Sequence, residues 1–287
     1  MQIPQPIGKS VVVTGASSGF GRATAMWMLA EGWQVFATVR KAADQDALVN
    51  DAEQAGWAER LTAVICDITR AEDVRALADA VATKTGRLDA LVNNAGGAWA
   101  VPLELLPVGD LRAQFEVNTI AQHAVTQALL PSLRAARGTI INVSSIGGQF
   151  SAPGNGAYSA SKFALEALSD ALRVELAPFG VRVVLIEPAA SRTDIWETST
   201  ARVQPMLDAH ATGEYAPLLR SFAQLARRQE ASGFPPRRFA ALVARILATP
   251  RPRARYAIPP YYGTLLAVAR FVPARLRDAM LRRALHW

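Results

Sequence analysis

Residues 10–21 read Ser-Val-Val-Val-Thr-Gly-Ala-Ser-Ser-Gly-Phe-Gly. The apolar run from Ser10 is short and cut by Gly15, which suits a buried parallel strand. Beyond Gly21 an apolar pattern of helical period runs through Met28 and Leu29 and stops at Gly32. Strand, glycine loop and helix in that order make an anion cradle. Glycine permits the tight turn and the close backbone approach, and the helix N-terminus faces the anion. The spacing is G-x-x-x-G-x-G, not the G-x-G-x-x-G of the general dinucleotide fingerprint.

Outward from this unit the pattern repeats. A second strand, Gln34 to Val39, ends in Arg40-Lys41, and a third, Leu61 to Cys66, ends in Asp67-Ile68-Thr69. Thr69 and Glu72 read as a capping box, predicting a helix from about Arg70 to Thr85 closed by Gly86. A fourth strand, Leu88 to Val92, runs into Asn93-Asn94-Ala95-Gly96, which is a sound turn sequence in its own right. A long helix is expected from about Asp110 to Ala136, containing Asn118, with a kink or early stop at Pro131. Strand five, Thr139 to Ser144, leads into Ser145, and strand six, Val181 to Glu187, ends at Pro188. The fold expected is α/β: a Rossmann-type doubly wound parallel sheet flanked by helices, with candidate residues at strand C-terminal ends.

Tyr158 and Lys162 stand four apart in Tyr-Ser-Ala-Ser-Lys, inside a stretch of helical period (Phe163, Leu165, Leu168, Leu172, Leu176). Residues i and i+4 share a helix face, so phenol and ammonium can address one spot. A free phenol has a pKa near ~10; a neighbouring cation and a helix N-terminus both favour the phenolate and bring it toward neutrality. The pair alone is weak, since many surface helices carry a Tyr and a Lys at this spacing.

Taken together, Thr14–Gly21 (TGASSGFG), Asn93–Gly96 (NNAG), Asn118, Ser145 and Tyr158–Lys162 (YSASK) resemble the short-chain dehydrogenase/reductase family in its single-domain form, over roughly Ser10 to Thr193. Ser145 lies 13 residues before Tyr158, the usual family distance, and is preferred to Ser144 on that ground. The resemblance implies that Tyr158 is the general acid/base and that Lys162 lowers its pKa and bonds the nicotinamide ribose. It implies that Ser145 bonds the substrate oxygen and that Asn118 holds a water in a proton relay. It also implies cofactor contacts at Gly15, Ser17, Ser18, Gly19, Phe20, Gly21, Arg40, Asp67, Ile68, Asn94, Ala95, Gly96, Tyr158, Lys162, Pro188 and Thr193. The family commonly has Pro-Gly after strand six; here the chain reads Pro188-Ala189, and alanine tolerates positive φ less well. A looser similarity is to the retinol and hydroxysteroid dehydrogenase branch. A cofactor-binding sensor without turnover, or an epimerase or dehydratase using the same Tyr/Lys pair, are the other functions such a chain can serve.

An NAD site of this architecture carries an acid at the end of strand two, for the ribose 2′-hydroxyl. Val39 fills that slot, and Arg40 and Lys41 follow. A guanidinium there suits a 2′-phosphate, so NADP is the expected cofactor, although a solvated arginine at a strand end is common. Residues 189–235 form the expected helical lid, whose Trp196, Met206, Leu207, Tyr215, Leu218, Leu219 and Phe222, with Trp99 and Phe150, wall off a lipophilic alcohol or ketone. Few charges are expected to converge there.

The remaining composition bounds the partners. At 287 residues and 51% hydrophobic content, the chain suits one large α/β domain, 1–260 with the lid inserted, followed by a basic amphipathic tail, 261–287. Residues 237–287 hold eleven arginines and one acid, Asp278, whereas the rest holds 20 basic and 23 acidic residues. The net charge of +7 therefore belongs to the tail. The tail suits packing on the body or on a partner subunit, or an interfacial helix on anionic lipid. No recognition fold accompanies the charge, so nucleic acid is not expected. His123, His210, His286 and the single cysteine, Cys66, make no metal-site spacing, and Cys66 reads as core filler. With no secretory signal and no run of about 18 apolar residues, the expected address is cytoplasmic, with peripheral membrane contact through the tail and a homo-oligomeric assembly.

Overall fold

The computed structural model describes residues 8–191, 195–210, 212–221, 224, 233–269, 271–285 and 287, with backbone only for 195–198 and 200. Its strands are β1 (Ser10–Val13), β2 (Gln34–Val39), β3 (Leu61–Ile65), β4 (Ala90–Asn93), β5 (Thr139–Val143), β6 (Arg182–Pro188) and β7 (Arg255–Ile258). All neighbours pair in parallel, in the order β3-β2-β1-β4-β5-β6-β7. The helices are α1 (Gly19–Ala30), α2 (Ala42–Gln54), α3 (Ala71–Lys84), α4 (Val108–Phe115), α5 (Ala121–Ala136) and α6 (Gly156–Leu176). They continue with α7 (Ile195–Ala209), α8 (Pro236–Ala248), α9 (Tyr261–Ala269) and α10 (Ala274–Leu285).

Strand side chains alternate between the two faces, and this makes two cores. Val11 and Val13 of β1, Val92 of β4 and Ile141 of β5 face α1, α2 and α8 through Met28, Leu48, Phe239 and Val243. Val12, Leu91 and Ile140 face the other way, onto Leu77 of α3, Val125, Leu129 and Leu133 of α5, and Leu176 of α6. Buried on both sides, the strands read as continuous apolar runs, as parallel strands must. The strand order reverses between β1 and β4, opening a crevice at their C-terminal ends.

Three expectations are corrected. The chain does not stop at Pro131, which lies inside α5. The buried face formed by Val125, Leu129 and Leu133 carries the helix through the one lost ladder bond. The ladder instead loosens at Glu116–Ile120, a π turn between α4 and α5 that contains Asn118. Tertiary bonds hold it: Asn118 Nδ2 donates to Ser161 Oγ at 3.0 Å and Thr119 Oγ1 to the Ser161 carbonyl at 2.9 Å. The capping box also fails to form. Thr69 Oγ1 donates to Asp67 Oδ1 at 2.7 Å, Glu72 accepts from the Arg70 side chain, and α3 starts without a side-chain cap.

Candidate active site

The cradle sits where β1 meets α1. Ser18 at the α1 N-cap makes no side-chain bond to the helix, and the first turn holds no acid, so its leading N–H groups meet no competing acceptor from a cap. Gly15 has φ 67°, and a methyl group on it would stand 2.9 Å from Ala95 Cα. One on Gly21 would stand 2.1 Å from the Gly15 carbonyl oxygen. Only glycine allows loop, helix and β4 loop to close this tightly. The residues present therefore fit a dinucleotide diphosphate: backbone donors at a helix terminus, with no side chain in the way.

The Asn-Asn-Ala-Gly turn is tied to this loop. Asn94 Nδ2 donates to the Thr14 and Gly15 carbonyls at 2.8 and 3.0 Å, and Thr14 Oγ1 accepts from Asn94 N and Ala95 N at 2.9 and 3.0 Å. Gln122 and Gln114 hold the Ala95 and Gly97 carbonyls from α5 and α4, each at 2.8 Å. Gln114 and Gln122, and the bonding role of Thr14 within its motif, escaped sequence reasoning, because nothing local marks a buried hydroxyl or amide that bonds a distant turn.

Tyr158 lies in the first turn of α6, as its sequence neighbourhood predicts. A methyl group on Gly147 would stand 3.3 Å from both Ser145 Oγ and Tyr158 Cε1, so the three converge. Ser145 Oγ also accepts from Gly147 N at 3.0 Å, which fixes its direction. Lys162 is 4% exposed, its Nζ donates to the Val143 carbonyl at 2.8 Å and lies 5.9 Å from the Tyr158 ring centroid. Burial pushes its pKa down to about 8, against which the Glu166 charge acts. Burial raises the Tyr158 pKa, and its hydrogen bond with Ser145 only tempers the rise. The expected lowering of the phenol is thus absent from the chain by itself, because Lys162 is directed at Val143.

Asn118 is buried behind this wall. Its amide clamps Gly97 from both ends: Oδ1 accepts from Gly97 N at 2.9 Å and Nδ2 donates to the Gly97 carbonyl at 3.0 Å. Behind α6 lies an ion cluster that the sequence did not announce. Arg255 of β7 pairs with Glu166 at 3.0 Å, Asp170 at 2.7 Å and Glu187 at 3.4 Å, tying α6 to the sheet edge.

One cavity of about 1870 Å³ brings together Gly15, Ser17, Ser18, Gly19, Phe20, Arg40, Asp67, Ile68, Asn94, Ala95, Gly96, Ser145, Tyr158, Lys162 and Pro188. Gly21 and Asn118 stand behind its wall, and Thr193 lies outside the described residues. Burial raises the Asp67 carboxyl, but bonds from Thr69 and the charges of Arg40 and Arg70 outweigh it and hold the pKa below its ordinary value. Trp99, Phe150, Leu207 and Leu219 line the cavity as expected of an apolar wall. Met206 packs on the small core of Trp99 and Val203, and Leu218 is buried. Tyr215 stacks on Trp287 and donates to Glu104 Oε2 at 2.6 Å. The Trp196 side chain and Phe222 lie outside what is described. Charges do converge, contrary to expectation: Arg202, Asp208 and Arg220 also line the cavity. The tail contributes too, through Tyr262, Leu281, Ala284 and Leu285.

Among the described residues no cluster of ligands could hold a metal, and no helix is long and apolar enough to cross a membrane. Cys66 is buried, and burial with the nearby Asp73 and Asp67 charges pushes its thiol up to about 12, as befits core filler.

The sequence model of the short chain dehydrogenase family matches residues 9–204. A 3-ketodihydrosphingosine reductase of Bacteroides thetaiotaomicron is 32% identical, covering 96% of each chain. An NADPH-dependent 3-dehydrocapnine reductase of Ornithobacterium rhinotracheale is 33% identical, again over 96% of each. Retinol dehydrogenase 5 of Mus musculus is 35% identical over 94% of this chain and 87% of its own. Among solved structures, a short-chain dehydrogenase from Streptomyces avermitilis superposes with TM-score 0.72 at 34% identity, covering 92% of this chain and 94% of its own. One from Burkholderia phymatum, in complex with NAD, superposes with TM-score 0.78 at 27% identity, covering 96% and 95%.

Proposed function

Because the chain belongs to the short-chain dehydrogenase family and is an oxidoreductase of CH–OH and C=O groups, we propose that it interconverts a lipophilic alcohol and its ketone or aldehyde with NADP. Bound in the crevice, the nicotinamide supplies or accepts the hydride. Tyr158 gives the proton to the carbonyl oxygen in reduction and takes it back in oxidation. Ser145, held by Gly147, donates to the same oxygen as negative charge develops on it. Lys162 places a positive charge beside the phenol when it turns from Val143 toward the ribose, and Asn118 fixes the Gly96-Gly97 loop against which it turns. A water held at Asn118 joins a proton relay that runs through Lys162 and returns the proton to Tyr158.

The convergence of Ser145 and Tyr158 at Gly147, in one cavity with Lys162 and an apolar wall, carries this reading. The relatives favour a lipophilic substrate, since they include a 3-ketodihydrosphingosine reductase and a retinol dehydrogenase. Nicotinamide absorbance followed against ketones, aldehydes, steroids and retinoids tests it. Tyr158→Phe should abolish turnover and leave cofactor binding nearly intact; turnover at the wild-type rate would sink the mechanism.

The assembly and address belong to the same reading. The outer stripe of α6, Phe163, Ala167, Ala171 and Val174, is exposed and apolar, which supports a homo-oligomer paired through this helix. Around α9 and α10, Leu265, Val268, Phe271, Leu276 and Met280 are more than half exposed among arginines, which supports peripheral contact with anionic lipid from a cytoplasmic position. Salt-sensitive co-sedimentation with anionic vesicles is the expected result, and indifference to lipid charge would refute that contact.

A further inference from the structure

The reading above leaves Arg202 without a role. It projects from α7 of the lid and lays its guanidinium carbon 4.1 Å from the centroid of the Trp99 ring. A methyl group on Gly97 would stand 3.0 Å from its Nη1, so the arginine overhangs the loop that follows β4. That loop is the one bonded to Thr14 and Gly15 of the cradle. Arg40 lines the same cavity, and neither arginine forms an ion pair with a described residue. Arg202 loses some of its preference for charge to burial and to repulsion by Arg40, and Asp110 restores only part.

Two guanidinium groups without an ion-pair partner among the described residues, facing one cavity, favour anions in it, and the exposed Arg220 adds to the same field. The cradle supplies backbone donors but no cation of its own. Arg22, the basic residue nearest it in α1, is committed to Asp51. Lys162 lies on the Tyr158 side of the cavity. Stacking on Trp99 holds the guanidinium plane while its edge donors stay free for phosphate oxygens.

We propose that Arg202 is a lid-borne clamp for the diphosphate of the nicotinamide dinucleotide, distinct from the 2′-phosphate contact of Arg40. The inference rests on the crevice holding such a dinucleotide. Because the clamp sits on α7, a bound dinucleotide ties the lid helix to the cradle. Arg40 and Arg202 then divide the labour: one tells NADP from NAD, and the other grips what the two share.

The test is direct titration of NADP and of NAD into wild type, Arg202→Met, Arg202→Lys and Arg40→Ala. Methionine keeps an apolar stem over Trp99 and removes only the charge, so a folded variant is expected, checked by its melting curve. Should it fail to fold, Arg202→Lys keeps the charge but loses the planar fork, and the same comparison of two cofactors applies. Arg202→Met should raise both dissociation constants by the same factor, roughly 10- to 150-fold, the worth of a charge-assisted hydrogen bond. Arg202→Lys should recover part of the loss, and Arg40→Ala should weaken NADP alone. In wild type, amide exchange in α7 should slow when NADP binds; in Arg202→Met it should not. Weakening of NADP alone in Arg202→Met would move the contact to the 2′-phosphate and overturn the assignment. Unchanged binding of both cofactors would overturn it as well, and a raised KM for an acidic substrate alone would then give Arg202 to the substrate. If wild type itself bound neither cofactor, the parent reading would have failed, a result distinct from any of these.

Discussion

On the proposed reading, cofactor choice turns on one side chain just past β2. Arg40 lies in the cavity with Asp67 near enough to feel its charge, and Val39 holds the place of an acid. Arg40→Ala should raise the NADP dissociation constant about 10- to 150-fold and leave NAD nearly unchanged. Val39→Asp should shift preference toward NAD; titrations showing equal affinities in wild type would refute the reading. Lys162 makes a second residue-scale prediction. Its folded pKa of about 8 lies below the free value of 10.5, so below pH 8 folding must bury a charge. Between those two values the unfolded chain holds more protons than the native one, and stability rises with pH. The relief amounts to about 3 kcal/mol at most. Urea midpoints of wild type and Lys162→Met, compared from pH 7 to pH 10.5, isolate it, because the Cys66 thiol titrates alike in both. The wild type should gain on the variant as pH rises; parallel curves would show that Lys162 is not penalised.

At the scale of elements, α10 is a wall and a surface at once. Leu281 and Leu285 line the cavity, while Leu276 and Met280 point outward and are more than half exposed. Leu285 is anchored to the lid, its carbonyl accepting from Ser221 Oγ at 2.8 Å. Truncation after Pro260 should therefore lower the melting temperature and raise KM for a long-chain substrate more than for a short ketone. An equal effect on both would mean that the tail is remote from the substrate. On α6, Phe163→Glu should dissociate the proposed homo-oligomer, read by light scattering, with little effect on cofactor affinity. These elements differ in how legible they were. The glycine loop and the Tyr158 helix were plain, because anion binding and proton transfer demand fixed residue types at fixed strand ends. The π turn at Asn118 was not, since hydrogen bonds to Ser161, 43 residues away, hold it. Pro131 reads as a breaker, but packing outweighs it. β7 hid among prolines and arginines, and its worth lies in the partners that Arg255 finds on α6. Arg202 carried no local signal at all.

At the scale of the whole molecule, the two cores lie on opposite sides of one sheet, so their defects should combine simply. Leu48→Ala on the inner face of α2 and Leu129→Ala on the inner face of α5 should each cost about 2–5 kcal/mol and add nearly independently in urea unfolding. NADP at a hundred times its dissociation constant should restore about 2.7 kcal/mol, read as a rise of the melting temperature by roughly 5 °C. The bonds of Thr14 bear on how the chain reaches its native state. Its hydroxyl takes N–H groups from residues 80 and 81 positions onward, so the cradle, although encoded near the first strand, closes only when β4 docks. Such distant closure is entropically expensive and slow. During synthesis the nascent glycine loop must wait for about eighty further residues before it can hold a phosphate. Dinucleotide in the surrounding solution then acts after the slow step, trapping molecules that have closed rather than hastening closure. Refolding rates should therefore be indifferent to NADP while yields improve.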